Sequence, residues 1–95
     1  MRSIALLLII ALLAPMLALA QGTPEDDKIY DEVRRRLADD LDVRGAGLNV
    51  IVKNGDVVIE GRVRDERARQ KAPQVVKKVK GVKAVENKLK LFSES

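Results

Sequence analysis

Cysteine, histidine and tryptophan are all missing from the 95 residues. Without cysteine there is no disulfide to add stability and no thiolate nucleophile. Without histidine the most common general base and metal ligand is gone. The aromatics are only Tyr30 and Phe92, so a core must come from Val, Leu and Ile, and no row of rings exists on which nucleic-acid bases could stack. Beyond Gln21 the hydroxyl side chains are Thr23, Tyr30, Ser93 and Ser95. One suits a helix cap, one a buried stripe and two the C-terminal tail. Catalysis would fall to carboxylates or lysines with shifted pKa values, and no burial pattern suggests one. A non-enzymatic protein without a cofactor is expected.

The first segment is set apart by a near-absence of charge. Arg2 is its only charged side chain, Ile4 to Ala14 is an unbroken apolar run followed by Pro15, and the stretch closes on Ala18-Leu19-Ala20. A charged start, an apolar middle of this length and a small-x-small end are the parts of a secretory signal. Cleavage is expected between Ala20 and Gln21, releasing a periplasmic product. The competing reading is an uncleaved anchor, but the run sits at the short limit for spanning a bilayer and Pro15 weakens a helix there. No cysteine follows the run, so lipid modification is not expected. The divisions are residues 1–20 as signal, 21–26 as a short linker and helix cap, 27–92 as one small domain and 93–95 as a tail.

Charge is distributed unevenly along the remainder. Gln21 to Glu60 carries ten acids against six bases, whereas Gly61 to Ser95 carries eleven bases against four acids. The chain is an electrical dipole along its sequence.

Thr23-Pro24-Glu25-Asp26 reads as a helix start, with a capping hydroxyl, a proline at the first position and acids at the positive end of the dipole. Ile29, Tyr30, Val33, Leu37 and Leu41 then share one helical face. Asp31 with Arg35 and Glu32 with Arg36 stand in the favourable acid-first order. Asn54-Gly55 is the preferred two-residue hairpin turn. Centred there, Val52 opposes Val57, Val50 opposes Ile59 and Leu48 opposes Gly61 on one face. Lys53 with Asp56, Ile51 with Val58 and Asn49 with Glu60 form the other face. A slip of one residue would destroy this segregation.

Asp65 can cap a second helix with Ala68, Ala72, Val75, Val76 and Val79 on one stripe and Gly81 as its stop. Pro73 inside it predicts a kink or a restart. Val82 to Leu91 alternates, with Val85, Asn87, Leu89 and Leu91 on one side and Glu86, Lys88 and Lys90 on the other. Helix, strand, strand, helix, strand, each with one apolar face, makes an α+β two-layer sandwich with both helices on one face of a three-stranded sheet.

The pattern Ile29…Val33…Leu37, then Val50-x-Val52-x-Asn54-Gly55-x-Val57-x-Ile59-x-Gly61-x-Val63, then Gly81-Val82-x-x-Val85-x-Asn87-x-Leu89, resembles the BON domain, named for bacterial osmotically inducible and nodulation proteins. The resemblance covers about Asp27 to Phe92. It implies an αββαβ fold with a mixed sheet and the second strand in the middle. It also implies an envelope protein that binds phospholipid surfaces and supports envelope integrity or the osmotic stress response, here expected as a single-domain member although many members carry two copies. Pro73 departs from the family, whose second helix is normally continuous.

Three groups of residues are candidates for function. Arg62, Arg64, Arg67, Arg69, Lys71, Lys77, Lys78 and Lys80 form a basic cluster that could attract anionic headgroups, although a helix wheel spreads them over more than half its circumference. Ile51 and Val58 share the uncovered sheet face and could form a contact with an envelope protein or a second copy, which keeps open a protein-interaction or chaperone-like role. Asp39, Asp40 and Asp42 resemble a loose cation cluster but lack the closing bidentate acid of a calcium loop, so a solvated helix end is favoured and no metal is expected. Acids at that end oppose the helix dipole. Nucleic acid is not an expected partner.

Overall fold

The computed structural model describes residues 23–94. The apolar leader and the Ala20/Gln21 boundary lie outside them. The elements are α1 (Pro24–Asp39), β1 (Asn49–Lys53), β2 (Asp56–Val63), α2 (Glu66–Lys77) and β3 (Ala84–Leu91). The sheet order is β1-β2-β3, so the middle strand is second in sequence. It runs antiparallel to β1 and parallel to β3. This is the expected α+β sandwich with a mixed sheet.

The hairpin forms in the predicted register, with Val52 opposite Val57, Val50 opposite Ile59 and Ile51 opposite Val58. Its turn residues carry the positive φ angles that a type I′ turn demands, 52° at Asn54 and 84° at Gly55. Along the other edge of β2, Val57 stands beside Val85 and Gly61 beside Leu89. The inward row meets Ile29, Val33 and Leu37 of α1 and Ala68, Ala72 and Val76 of α2. Leu37, Ile59, Val33, Val57 and Val76 are the largest side chains fully removed from water. Among the described residues the core cluster spans Ile29 to Leu89.

Both helix starts use the predicted caps. The Thr23 hydroxyl accepts from the Asp26 amide at 3.1 Å, and the Asp65 carboxylate accepts from the Ala68 amide at 2.8 Å. The helix ends differ from expectation. Leu41 does not lie on the buried stripe but is 76% exposed. The reason is Asp40, which leaves helical geometry (ψ 122°) and accepts from the Asp42 and Val43 amides at 3.0 and 3.1 Å. That side-chain turn stops α1 two residues short of Leu41 and swings Val43 into the core instead. In α2 the helix closes at Lys77, and Val79 is buried from the turn that follows it.

Pro73 neither ends nor restarts α2, which runs from Glu66 to Lys77 without interruption. A proline lacks the N–H that the carbonyl four residues earlier would accept. That carbonyl belongs to Arg69, and it receives the Asn87 side-chain amide at 2.9 Å. Asn87 therefore occupies an otherwise apolar row for a definite reason. Its own oxygen accepts from the Leu89 amide at 3.0 Å, which fixes the orientation.

Candidate functional site

The direction of the elements divides the molecule into two ends. The N-terminus of α1, the Asn54-Gly55 turn, the end of α2 and the start of β3 gather at one end. The end of α1, the loop 40–48, the start of α2 and the ends of β2 and β3 gather at the other.

At the turn end, Asp26 is the one buried charged residue among those described. Its carboxylate accepts from the Asn54 amide at 2.8 Å and the Gly55 amide at 3.0 Å. These bonds, the Asn54 amide foremost, outweigh desolvation and hold the carboxyl below its ordinary value of 3.8, with help from Thr23 and Lys83. The Lys83 amide completes the clasp by donating to the Gly55 carbonyl at 2.8 Å. A side chain at position 55 would meet the Gly81 carbonyl at 3.0 Å and carry an unfavourable φ. Gly81 and Val82 lie in the loop that leads from α2 into β3, while Gly61 lies in β2 beneath Leu48.

The basic residues from Arg62 to Lys80 do not form one site. A helix of 12 residues is about 18 Å long, so α2 places Arg67 and Arg69 near one end of the molecule and Lys77, Lys78 and Lys80 near the other. Four of the eight also form ion pairs with acids, Arg64 at the longest distance. Lys71 lies 3.5 Å from Asp40 and 3.3 Å from Asp42, and Arg67 lies 3.5 Å from Asp42. Arg69 pairs with Glu66 and, at 2.8 Å, with Glu94. The bond from Asp42 and the charge of Asp40 raise the Lys71 pKa above 10.5. Burial pushes the Asp40 carboxyl upward, but the Val43 and Asp42 amides and Lys71 prevail and leave it lowered.

These contacts account for acids placed against the helix dipole: they neutralise a neighbouring helix. Among the described residues no group of three His, Cys, Asp or Glu side chains is placed to hold a metal ion.

Arg62 and Arg64 are held by backbone carbonyls. Arg62 donates to the Glu94 backbone carbonyl at 2.8 Å and Arg64 to the Leu41 carbonyl at 3.1 Å. The Arg64–Asp65 contact is long, 3.8 Å, between two exposed side chains, and such pairs contribute little. Lys77, Lys78 and Lys80 are exposed and take part in no ion pair among the described residues. On the uncovered sheet face Ile51 is 45% exposed and its partner Val58 is half-buried.

The order αββαβ, the mixed sheet with the second strand in the middle and the Asn54-Gly55 hairpin all accompany a sequence match. The family described as BON domain matches residues 25–91. The chain belongs to the BON domain family. The BON domain is a non-catalytic, binding-type unit, which places this chain among small proteins related to the envelope or to osmotic stress. No curated protein matches the sequence. No helix among the described residues is long and apolar enough to cross a membrane.

Three features escaped sequence reasoning. The Asp26 clasp joins residues 28 and 29 positions apart, beyond any local pattern. The exposure of Leu41 depends on a cap that ends α1 early. Arg44, which has no signal of its own, adopts a φ of 48° in the loop before β1.

Proposed function

We propose that this BON domain is an exported envelope protein that adsorbs peripherally to anionic phospholipid surfaces and supports envelope integrity or the response to osmotic stress. The observation that carries this reading is the division of charge. The carboxylates Asp40, Asp42, Glu66 and Glu94 are engaged by Arg67, Arg69 and Lys71. Arg62 and Arg64 at one end and Lys77, Lys78 and Lys80 at the other are left to attract phosphate. Each basic side chain near an anionic leaflet contributes about 1 kcal/mol. The apolar run ahead of Gln21 supports delivery to the periplasm, where such surfaces lie. Adsorption carried by a few exposed bases is sensitive to salt.

The test is sedimentation of Gln21–Ser95 with vesicles of phosphatidylglycerol and phosphatidylcholine or of phosphatidylcholine alone. Binding only to the anionic vesicles, weakening with salt, supports the proposal. Equal binding to both, or none, rejects it.

A second reading rests on Ile51 and Val58, which form an apolar pair on the sheet face that no helix among the described residues covers. A protein partner or a second copy could dock there. Light scattering and recovery from envelope extract separate the two readings: a strict monomer that recovers no partner and retains vesicle binding removes the second.

A further inference from the structure

The end of the molecule opposite the hairpin turn carries a groove floored by Val43 and Val63, walled by Phe92 and lined by Arg44, Arg62 and Arg64. No carboxylate lines it, whereas three other surface grooves each contain at least one acid. Most nearby acids are directed elsewhere, Glu94 to Arg69 and Asp40 and Asp42 to Lys71 and Arg67, while Asp65 caps α2 and reaches Arg64 only at 3.8 Å. Arg62 and Arg64 are oriented by neutral backbone carbonyls, which position a guanidinium without cancelling its charge.

Two further observations belong to the same end. Leu41 and Phe92 are 76% and 66% exposed, and with Ile51 they are the large apolar side chains left in water among the described residues. Arg64 bonds to the Leu41 backbone carbonyl and lines the groove with Phe92, which puts both residues at this end. Arg44 holds a left-handed backbone conformation that glycine or asparagine would take at lower cost.

Guanidinium groups are weakly hydrated and bind phosphate through paired N–H donors, and exposed apolar side chains beside them favour the boundary between headgroups and acyl chains. We propose that this end of the domain is the face that meets an anionic bilayer, with Arg44, Arg62 and Arg64 on headgroup phosphates and Leu41 and Phe92 inserted below them. The assignment rests on the phospholipid reading above and adds an orientation to it.

The chain has no tryptophan, so Phe92→Trp introduces a single indole reporter. In Gln21–Ser95 its emission shifts to the blue, and brominated lipids quench it, when vesicles of phosphatidylglycerol and phosphatidylcholine are added. The double change Arg62→Gln/Arg64→Gln weakens vesicle binding about fivefold per arginine. Arg44→Gly weakens it similarly while the melting temperature holds or rises, an outcome that a merely structural role would not give. Lys77→Glu/Lys78→Glu weakens the overall attraction but leaves the indole shift of the bound fraction in place. Binding to anionic vesicles with unshifted emission, or binding lost only in the lysine variant, overturns the orientation and leaves the phospholipid reading standing. Absence of binding by the unsubstituted chain overturns both.

Discussion

Replacing Pro73 by alanine should stabilise this domain, and the gain should depend on Asn87. A proline in a helix interior costs about 3 kcal/mol through its missing N–H and its clash with the preceding turn. Two effects offset that cost. The Asn87 amide fills the vacant Arg69 carbonyl at 2.9 Å, a bond that contributes about 1 kcal/mol. The proline ring also restricts the unfolded chain, which contributes about 0.4–1 kcal/mol. Pro73→Ala should therefore add about 1–2 kcal/mol, at about 4–8 °C in melting temperature for each kcal/mol in a domain of this size. Asn87→Ala alone should cost about 1 kcal/mol or somewhat more, because its bond to the Leu89 amide is lost too. Once position 73 supplies its own N–H, the same change should cost about half as much.

Urea denaturation of the four proteins in the double-mutant cycle, followed by circular dichroism, measures the coupling directly. A coupling near 0.5–1 kcal/mol is expected, above the scatter of about 0.3–0.5 kcal/mol between independent sites. Equal costs of Asn87→Ala in both backgrounds, or a destabilising Pro73→Ala, would refute the reasoning.

Other consequences are equally open to measurement. Asp26 has a lowered folded pKa, so its stabilising effect is complete above its unfolded value of 3.8 and fades as pH falls through the depressed value. Asp26→Asn should lower the melting temperature at neutral pH and flatten its dependence between about pH 5 and pH 2, whereas an unchanged acid profile would show that the clasp contributes nothing. Leu37→Ala should cost about 2–5 kcal/mol because Leu37 is wholly buried, while Leu41→Ala should stay within about 0.5 kcal/mol. A large loss for Leu41 in chemical denaturation would place it back in the core.

The hairpin register was readable in advance because its alternation has a period of two and its turn residues are nearly unique in their φ demands. Both helix starts were readable because capping is local. The end of α1 was not, since the hydrophobic period continues through Leu41 while the Asp40 side chain interrupts the helix. The Arg69 carbonyl could be foreseen as orphaned from Pro73 alone, but its partner comes from the other layer of the fold, 18 residues away. The candidate site suffered most. Closeness in sequence suggested that eight bases act together, yet α2 separates them, Arg67 and Lys71 are paired with acids from the first half, and Arg69 is paired with Glu66 and Glu94. Arg44 came into the picture only when the loop before β1 was seen beside the end of β2.

The most direct test of the functional account is the salt dependence of partitioning. Gln21–Ser95 is mixed with phosphatidylglycerol–phosphatidylcholine vesicles between about 0.01 and about 1 M salt, over which the screening length shortens from about 30 to about 3 Å. The account predicts strong binding at low salt, a steady fall as salt rises and no binding to phosphatidylcholine alone. Binding indifferent to both lipid charge and salt, or no binding at any salt, would contradict it.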